Sequence, residues 1–164
     1  SNGGQIAFST LVISKQSIPT SFWAPVTAPF PYSIMYFSDE DKDEGKGMRI
    51  WVSQLEKLYE LREFSFTQYL DGLAGPFILH HGTNDEAAPK IWSDEFLLKV
   101  DAQNKERAEI AASSESTTST RLLTPVDYTY YQYPGADHNM QPAANWQQAS
   151  TRDIEFFKKE LTQK

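Results

Sequence analysis

Three side chains that together could carry out nucleophilic catalysis occur along this sequence in the order Ser1, Asp85 and His138. A serine hydroxyl is a poor nucleophile until a positioned imidazole accepts its proton, and the imidazole needs a carboxylate on its other nitrogen to fix its tautomer and charge. Each of the three residues lies at the boundary of a predicted helix or strand, where ligands bind in open α/β sheets. Their types and order are therefore those that nucleophilic catalysis by a serine requires.

The first four residues, SNGG, leave three interpretations of Ser1 open. Ser1 and Asn2 can be a cloning remnant in front of an arbitrary start. Ser1 can instead be an N-terminal nucleophile whose own α-amine, with a reference pKa of about 8, acts as the base. The third interpretation is that the chain was cut inside a longer protein within a G-x-S-x-G turn. We favour it because two glycines and an apolar helix follow the serine.

Helices and strands alternate along the predicted structure. The run QIAFSTLVI is apolar nearly all round, as expected of a helix buried against a sheet. Short apolar runs bounded by Pro or Gly predict strands, and longer runs with helical spacing predict helices. The later elements are predicted strands at 20–24, 77–81 and 126–133, and predicted helices at 48–62, within SFTQYLDGL, from position 89 onward and at 144–161.

Two segments interrupt this alternation. Residues 29–73 contain the charged run SDEDKDEGKG and two of the predicted helices, so we expect them to form a helical insertion. Residues 111–120, AASSESTTST, are of low complexity and predict a flexible surface loop. We expect residues 1–164 to form a single domain, because a chain of 164 residues is long enough for one core and too short for two.

The predicted fold class is α/β. Strands separated by helices of this length imply a parallel sheet with right-handed crossovers. Three strands are few for such a sheet, which is normally covered on both faces and whose outermost strand would have an open edge. We therefore expect the C-terminal portion of a doubly wound domain that is truncated, with the N-terminal half of the fold missing.

The composition argues against several kinds of partner. The net charge of -7 argues against a nucleic-acid partner, because proteins bind the phosphate backbone mainly through Lys and Arg. No stretch approaches the roughly 20 apolar residues that a membrane helix needs, so we expect a soluble protein with no membrane partner. The chain has no cysteine, which excludes disulfides, thiolate metal sites and cysteine nucleophiles. These features leave the compartment open, and the cytoplasm is the location that we expect.

Three segments resemble the α/β-hydrolase superfamily, in its prolyl oligopeptidase and dienelactone hydrolase branch. SNGG resembles the end of the nucleophile turn, HGTNDEAAP resembles the family segment H-G-x-x-D-x-x-V-P, and YPGADHN resembles the segment Y-x-x-x-x-H after the last strand. The resemblance implies that Ser1 is the nucleophile, Asp85 the triad acid and His138 the base, and that neither a cofactor nor a metal is needed. It also implies the C-terminal part of an α/β-hydrolase catalytic domain, starting at the nucleophile.

Further residues are candidates for supporting roles. The backbone N–H of Asn2, at a helix N-terminus, would form half of an oxyanion hole. Trp23, near the end of the first strand, and Tyr32, after it, are on the side where a substrate would lie, and they are candidates for a substrate-binding wall. Packing of the insertion is the more common explanation for such aromatic residues. His80 and His81 are adjacent on a strand and point to opposite faces, so they cannot bind one metal together.

The expected function is that of a serine peptidase similar to the prolyl oligopeptidase family, which cleaves peptide bonds through an acyl-enzyme. A carboxylesterase or dienelactone-type ester hydrolase is the alternative among enzymes, because the triad does not distinguish amides from esters. A non-catalytic fragment that binds a partner through its open sheet edge is the alternative outside enzymes. The expected partners are a peptide or ester substrate and the missing half of the fold, without which we expect no activity.

Overall fold

The computed structural model describes residues 1–113 and 123–162, which form a mixed α/β structure. Its helices and strands, in chain order, are α1 (Asn2–Ser14), β1 (Thr20–Trp23), α2 (Tyr32–Met35), α3 (Lys46–Leu55), β2 (Phe77–Gly82), α4 (Lys90–Ala112), β3 (Tyr128–Tyr133) and α5 (Ala143–Thr162). Short 3₁₀ helices lie at Ser38–Glu40, Leu61–Phe64, Phe66–Gln68 and Leu70–Gly72.

The strands of the described residues form a parallel sheet in the order β1-β2-β3. Phe77 at the start of β2 pairs with Thr20 of β1 on one side and with Tyr128 of β3 on the other. All six residues of β2 are buried, as expected of a parallel strand that is covered on both faces. The predicted fold class, parallel strands alternating with helices, is confirmed.

The larger core lies between the sheet and helices α1 and α4. Phe8 of α1 stacks on Phe22 of β1 with ring centroids 3.7 Å apart, and Phe77 of β2 meets Phe8 edge-on at 5.6 Å. Phe96 of α4 lies 4.7 Å from Phe8 and completes the cluster. Aromatic pairs of this kind contribute about 0.5–1.5 kcal/mol beyond the area that they bury, so this layer holds α1 and α4 against the sheet.

A smaller core lies on the opposite face of the sheet, beneath α5. Its buried members come from the ends of β1 and β3, from the loop after β3 and from the helix: Ala24, Tyr133, Ala136, Met140 and Ala149. The half-buried rings of Trp23 and Tyr131 pack against this cluster. Both faces of the sheet are therefore covered, and β2 lies between the two cores.

Two predicted helices differ from the structure. Helix α3 ends at Leu55, whereas its predicted end was at Arg62, and SFTQYLDGL forms short 3₁₀ segments in place of a helix. The Ser65 hydroxyl accepts a hydrogen bond from the Phe30 N–H at 2.7 Å and donates to the Phe30 C=O at 3.2 Å. Side-chain hydrogen bonds to the backbone compete with helical ones, and here they tie the segment to a distant part of the chain.

Helix α1 is less buried than its apolar sequence predicts. Its buried residues are Phe8, Leu11 and Val12, whereas Ile6 and Ile13 are 67% and 80% exposed. The helix therefore packs on the sheet with one face only. The apolar residues on its other face have no cover among the described residues.

Two segments, residues 29–73 and 111–120, were predicted to interrupt the alternation of helices and strands, and the structure describes the first fully and the second in part. Helix α4 includes residues 111 and 112, so the flexible loop predicted for 111–120 is wrong at its start, and its positions 114–120 lie outside the described residues. Residues 29–73 contain α2, α3 and the 3₁₀ helices. Two expectations stay predictions: that this segment is an insertion, and that the chain is a single truncated domain.

No helix in the described part of the chain has both the length and the apolar character needed to cross a membrane.

Candidate active site

Asp85 and His138 form a hydrogen-bonded pair at the carboxyl ends of β2 and β3. His138 Nδ1 lies 2.9 Å from Asp85 Oδ2 and 3.1 Å from Asp85 Oδ1. The Asp85 side chain is fully buried, whereas that of His138 is 25% exposed. Adjacent parallel strands end at the same edge of a sheet, which is why two residues so distant in sequence meet here.

This contact determines which nitrogen of His138 carries the hydrogen. An ionised carboxylate only accepts hydrogen bonds, so Nδ1 donates to Asp85. The neutral imidazole then has its lone pair on Nε2, on the other side of the ring, where it can accept a proton. The pair therefore has the tautomer that a general base needs.

The turn after β2 keeps Asp85 ionised. Asp85 Oδ1 accepts the backbone N–H groups of Ala87 at 3.0 Å and Ala88 at 2.8 Å. Burial alone would raise the pKa of Asp85, but hydrogen bonds from His81, from the Ala88 N–H and from His138 lower this pKa to about 2. Asp85 is therefore both the residue that shapes the turn and the charged partner of His138.

The loop that carries His138 packs directly against the end of β2. The Asn84 N–H donates to the Ala136 C=O at 2.9 Å. Gly82 permits this approach, because a Cβ at that position would lie 2.6 Å from the Asp137 carbonyl oxygen and closer still to that of Ala136. A residue without a side chain at the end of β2 thus allows the His138 loop to lie on the strand.

Ser1 lies at the same edge of the sheet, at the N-terminus of α1. Its C=O accepts the N–H groups of Gly4 at 2.9 Å and Val26 at 3.2 Å. Its α-ammonium group donates to the carbonyl oxygens of Trp23 and Ala24. These contacts place Ser1 beside the carboxyl end of β1.

The three predicted triad residues are brought together in part. Ser1 lies beside the carboxyl end of β1, and the Asp85–His138 pair lies at the same edge of the sheet, after β2 and β3. Within residues 1–113 and 123–162, no hydrogen bond joins the Ser1 hydroxyl to His138. Asn2 is the first residue of α1, where backbone N–H groups have no partner within the helix. The oxyanion-hole role of Asn2 stays a prediction.

The Trp23 side chain packs on the face of the sheet that α5 covers. Its indole N–H donates to Asp153 Oδ2 at 2.8 Å. Its ring centroid lies 5.4 Å from that of His80 and 6.0 Å from that of Trp146. Packing accounts for these contacts, and the substrate-binding role of Trp23 stays a prediction.

Tyr32 begins α2, and aromatic rings near it form a wall beside the Asp85 turn. Tyr32 is 60% exposed. The Tyr36 ring lies 4.9 Å from that of Trp92, which packs with Ala88 of the turn. Trp92 is one of the buried residues of α4. Its nearness to the turn depends on the path of the chain after β2, which no periodicity indicates.

His80 and His81 lie on opposite faces of the sheet, as the alternation of side chains along a strand predicts. His81 Nε2 lies 3.2 Å from Asp85 Oδ2, and His80 Nε2 lies 2.9 Å from Asp153 Oδ1. Sequence reasoning did not single out Asp153, because it resembles any polar residue of an amphipathic helix. Each histidine at the end of β2 therefore has its own carboxylate partner.

The parallel sheet with this pair at its carboxyl edge corresponds to part of an α/β-hydrolase-like fold. Among solved structures, the chain is similar to a Mycobacterium tuberculosis puromycin-hydrolyzing peptidase, with a TM-score of 0.57 and 17% sequence identity. The likeness covers 88% of this chain and 18% of that chain. No family model matches the sequence, and a comparison with curated proteins gives no match. The likeness therefore shows the fold, and the prolyl oligopeptidase branch stays a prediction.

Proposed function

We propose that this chain is part of a serine hydrolase and carries its catalytic triad. The observation that supports the proposal is the Asp85–His138 pair, in which a buried carboxylate holds the Nδ1 hydrogen of a partly exposed imidazole. Ser1, at the start of α1 and at the same edge of the sheet, is the nucleophile in this proposal.

The proposed reaction is acyl transfer through Ser1. Ser1 Oγ attacks the carbonyl carbon of the substrate while its proton passes to His138 Nε2, and Asp85 stabilises the imidazolium that forms. The Asn2 N–H, at the positive end of α1, stabilises the negative charge on the carbonyl oxygen. His138 then protonates the leaving group. A water molecule, deprotonated by His138, finally attacks the acyl carbonyl, and His138 returns the proton to Ser1 Oγ as the acyl group leaves.

We infer that the substrate is a peptide and that the whole protein is a prolyl-oligopeptidase-like serine peptidase. Two observations support this inference. The structurally similar protein is a puromycin-hydrolyzing peptidase. The exposed ring of Tyr32 and the aromatic wall beside the Asp85 turn would receive an apolar or prolyl group, with Trp23 at the end of β1 as a second candidate contact. An ester hydrolase of the carboxylesterase or dienelactone type is the alternative.

Fluorophosphonate labelling of the protein from its native source, followed by tryptic mapping, tests the proposed nucleophile. Lys15 is the first trypsin site after Ser1, so one peptide that ends at Lys15 reports on the serine. We expect the label on Ser1 of that peptide. An unlabelled peptide from folded protein would contradict the hydrolase and would favour the non-catalytic binding module.

Variants of the two histidines give this experiment a matched control. His138→Gln removes the proposed base, and labelling should slow by orders of magnitude. His80→Gln changes a buried histidine that does not contact Asp85, and labelling should persist in the folded protein. Equal loss of labelling in both variants would contradict the role of His138.

Matched substrates separate the peptidase from the esterase. A prolyl peptide and an acyl ester with the same acyl group are compared by kcat/KM in the full-length protein. The proposal expects cleavage of the peptide. Hydrolysis of small acyl esters without cleavage of any prolyl peptide would contradict the peptidase and support the ester hydrolase.

A further inference from the structure

We propose that His81, supported by Ser93, is a positioning residue that holds the Asp85 carboxylate in the orientation in which it meets His138. The kinetic consequence of this proposal rests on the proposed function. Its structural consequence, a change in how Asp85 binds protons, does not depend on any activity.

His81 has a defined partner at each ring nitrogen and no exposure to solvent. Its side chain is fully buried on the α4 face of β2. Nε2 lies 2.7 Å from the Ala88 carbonyl oxygen and 3.2 Å from Asp85 Oδ2, and Nδ1 lies 2.9 Å from Ser93 Oγ. These partners lie in two places, namely the turn after β2 and α4.

The identity of these partners determines where the hydrogen of His81 lies. Both atoms near Nε2 are oxygen acceptors, so Nε2 carries a hydrogen that the two acceptors share. The Ser93 hydroxyl can then donate to Nδ1, which accepts it. A neutral imidazole satisfies all of these contacts, and no hydrogen-bonding atom of the buried ring is left without a partner.

His81, Ala88 and Asp85 form a closed ring of hydrogen bonds. The Ala88 N–H donates to Asp85 Oδ1 at 2.8 Å, the Ala88 C=O accepts from His81, and His81 also reaches Asp85 Oδ2. Rotation of the Asp85 carboxyl group would break contacts at both of its oxygens. The carboxylate is therefore held in one orientation, and that orientation directs Oδ2 at His138.

The protonation of Asp85 is consistent with this arrangement. Among the described residues, the titratable groups in contact with Asp85 are His81 from β2 and His138 from the loop after β3. Against the burial that raises the pKa of Asp85, the hydrogen bond from His81 is the largest of the contacts that lower it. Removal of this bond should therefore be visible in the titration of Asp85.

His80 is a matched control for His81. It is the neighbouring residue on the same strand, its side chain is equally buried, and its Nε2 also faces a carboxylate. That carboxylate belongs to Asp153, on the opposite face of the sheet. Loss of His80 should disturb the core without removing a contact of Asp85.

Carbon-13 NMR of the Asp85 carboxyl group during an acid titration of the full-length protein tests the positioning directly, with Asp85→Asn used to assign the signal. We expect His81→Leu to raise the proton affinity of Asp85 about tenfold or more, because a hydrogen bond to a charged group is lost. His81→Gln keeps an N–H near the Nε2 position, so the proton affinity of Asp85 should stay close to that of the wild-type protein. Ser93→Ala, which frees the His81 ring, should give a smaller rise in the same direction.

The kinetic test separates positioning from simple stability. In the full-length enzyme, His81→Leu should lower kcat about tenfold to a hundredfold with little change in KM, since a displaced carboxylate misorients His138. His81→Gln should recover most of the lost kcat. His80→Leu should lower the melting temperature without a comparable fall in kcat.

Each result bears on one proposal. An unchanged Asp85 titration in folded His81→Leu, or an equal shift in His80→Leu, would overturn the positioning role and leave the proposed function intact. If His81→Leu does not fold, an unchanged titration in Ser93→Ala would overturn it. A shifted titration in a protein that fluorophosphonates do not label would support the positioning role and contradict the serine hydrolase.

Discussion

The two adjacent histidines of β2 occupy similar environments on opposite faces of the sheet. Both side chains are fully buried. His80 Nδ1 lies 2.7 Å from the Tyr133 hydroxyl, and His81 Nδ1 lies 2.9 Å from the Ser93 hydroxyl. Each ring also has a carboxylate near Nε2. The two faces of β2 therefore contain the same chemical arrangement, a hydroxyl, an imidazole and a carboxylate in series.

The two carboxylates differ in their remaining partners. Asp153 of α5 also accepts hydrogen bonds from the Ser21 hydroxyl and the Trp23 indole, which are fixed parts of the fold. Asp85 also accepts from His138, whose ring is partly exposed. A buried histidine and carboxylate thus anchor a helix on one face, while a similar pair orients a partly exposed imidazole on the other.

Asp85→Asn should reduce catalysis more than any other substitution considered. The amide oxygen can still accept from the turn, but the amide nitrogen cannot accept the Nδ1 hydrogen of His138, so the imidazole adopts the wrong tautomer. We expect kcat to fall about 10⁴-fold, which is the effect of this substitution in serine proteases. Steady-state kinetics of the full-length protein with a peptide substrate measures it.

Asp153→Asn is the matched variant on the opposite face. The amide oxygen can accept at only one of the two positions, so either the Trp23 contact or the contacts of His80 and Ser21 are lost. We expect the free energy of unfolding to fall by about 1–3 kcal/mol, with a far smaller fall in kcat than for Asp85→Asn. A similar fall in kcat in both variants would show that the two faces do not differ in function.

The next prediction concerns two glycines, Gly82 at the end of β2 and Gly75 just before its start. A Cβ at Gly82 would lie 2.6 Å from the Asp137 carbonyl oxygen, and a Cβ at Gly75, before the strand, would lie 2.6 Å from the Ile18 carbonyl oxygen. Gly82→Ala and Gly75→Ala should each cost about 1–3 kcal/mol of stability, because the backbone must shift. Only Gly82→Ala should displace the loop of His138.

Urea unfolding and fluorophosphonate labelling of both glycine variants measure these effects. Gly82→Ala should slow labelling more than its loss of stability explains. The comparison would fail if Gly75→Ala, at the end of β2 far from His138, slowed labelling by the same factor.

Acid should destabilise the protein in part through Asp85. The folded-state pKa of about 2 lies below the ordinary value of 3.8, so the stabilisation is complete above about pH 4 and is lost as the pH falls towards 2. Its size is about 2 kcal/mol. Hydrogen bonds from His80, Ser21 and Trp23 lower the pKa of Asp153 against the burial that raises it, so Asp153 contributes with the same sign.

Urea unfolding between pH 6 and pH 2.5 tests this dependence. Asp85→Asn should remove part of the loss of stability at low pH, and Asp153→Asn should remove a separate part. Identical pH dependence in the wild-type protein and Asp85→Asn would contradict the low pKa of Asp85.

The position of the Asp85–His138 pair could be predicted from the sequence because local signals determine it. The segment HGTNDEAAP predicts a turn directly after a buried strand, and YPGADHN predicts a loop after the next strand. Parallel strands bring the carboxyl ends of neighbouring strands to one edge. The meeting of the two side chains then follows from topology.

The environment of the two histidines could not be predicted in the same way. The contact of His80 with Asp153 joins a strand to a helix 73 residues away, and no periodicity indicates which residue of that helix faces the sheet centre. The early end of α3 at Leu55 and the non-helical segment around Ser65 also depend on tertiary hydrogen bonds. Helix and strand propensities depend only on nearby residues, whereas these features depend on contacts with residues distant in the sequence.

Removal of the hydroxyl groups on the two faces should change the protein least. Ser93 donates to His81, and Ser21 donates to Asp153. Ser93→Ala and Ser21→Ala each remove one hydrogen bond, so each should lower the free energy of unfolding by about 1 kcal/mol. Only Ser93→Ala loosens a ring that contacts Asp85, so only this variant should also lower kcat. Thermal melts and kinetics of both variants measure the two effects, and an equal fall in kcat would mean that the Ser93–His81 contact does no more for Asp85 than the Ser21 contact does on the opposite face.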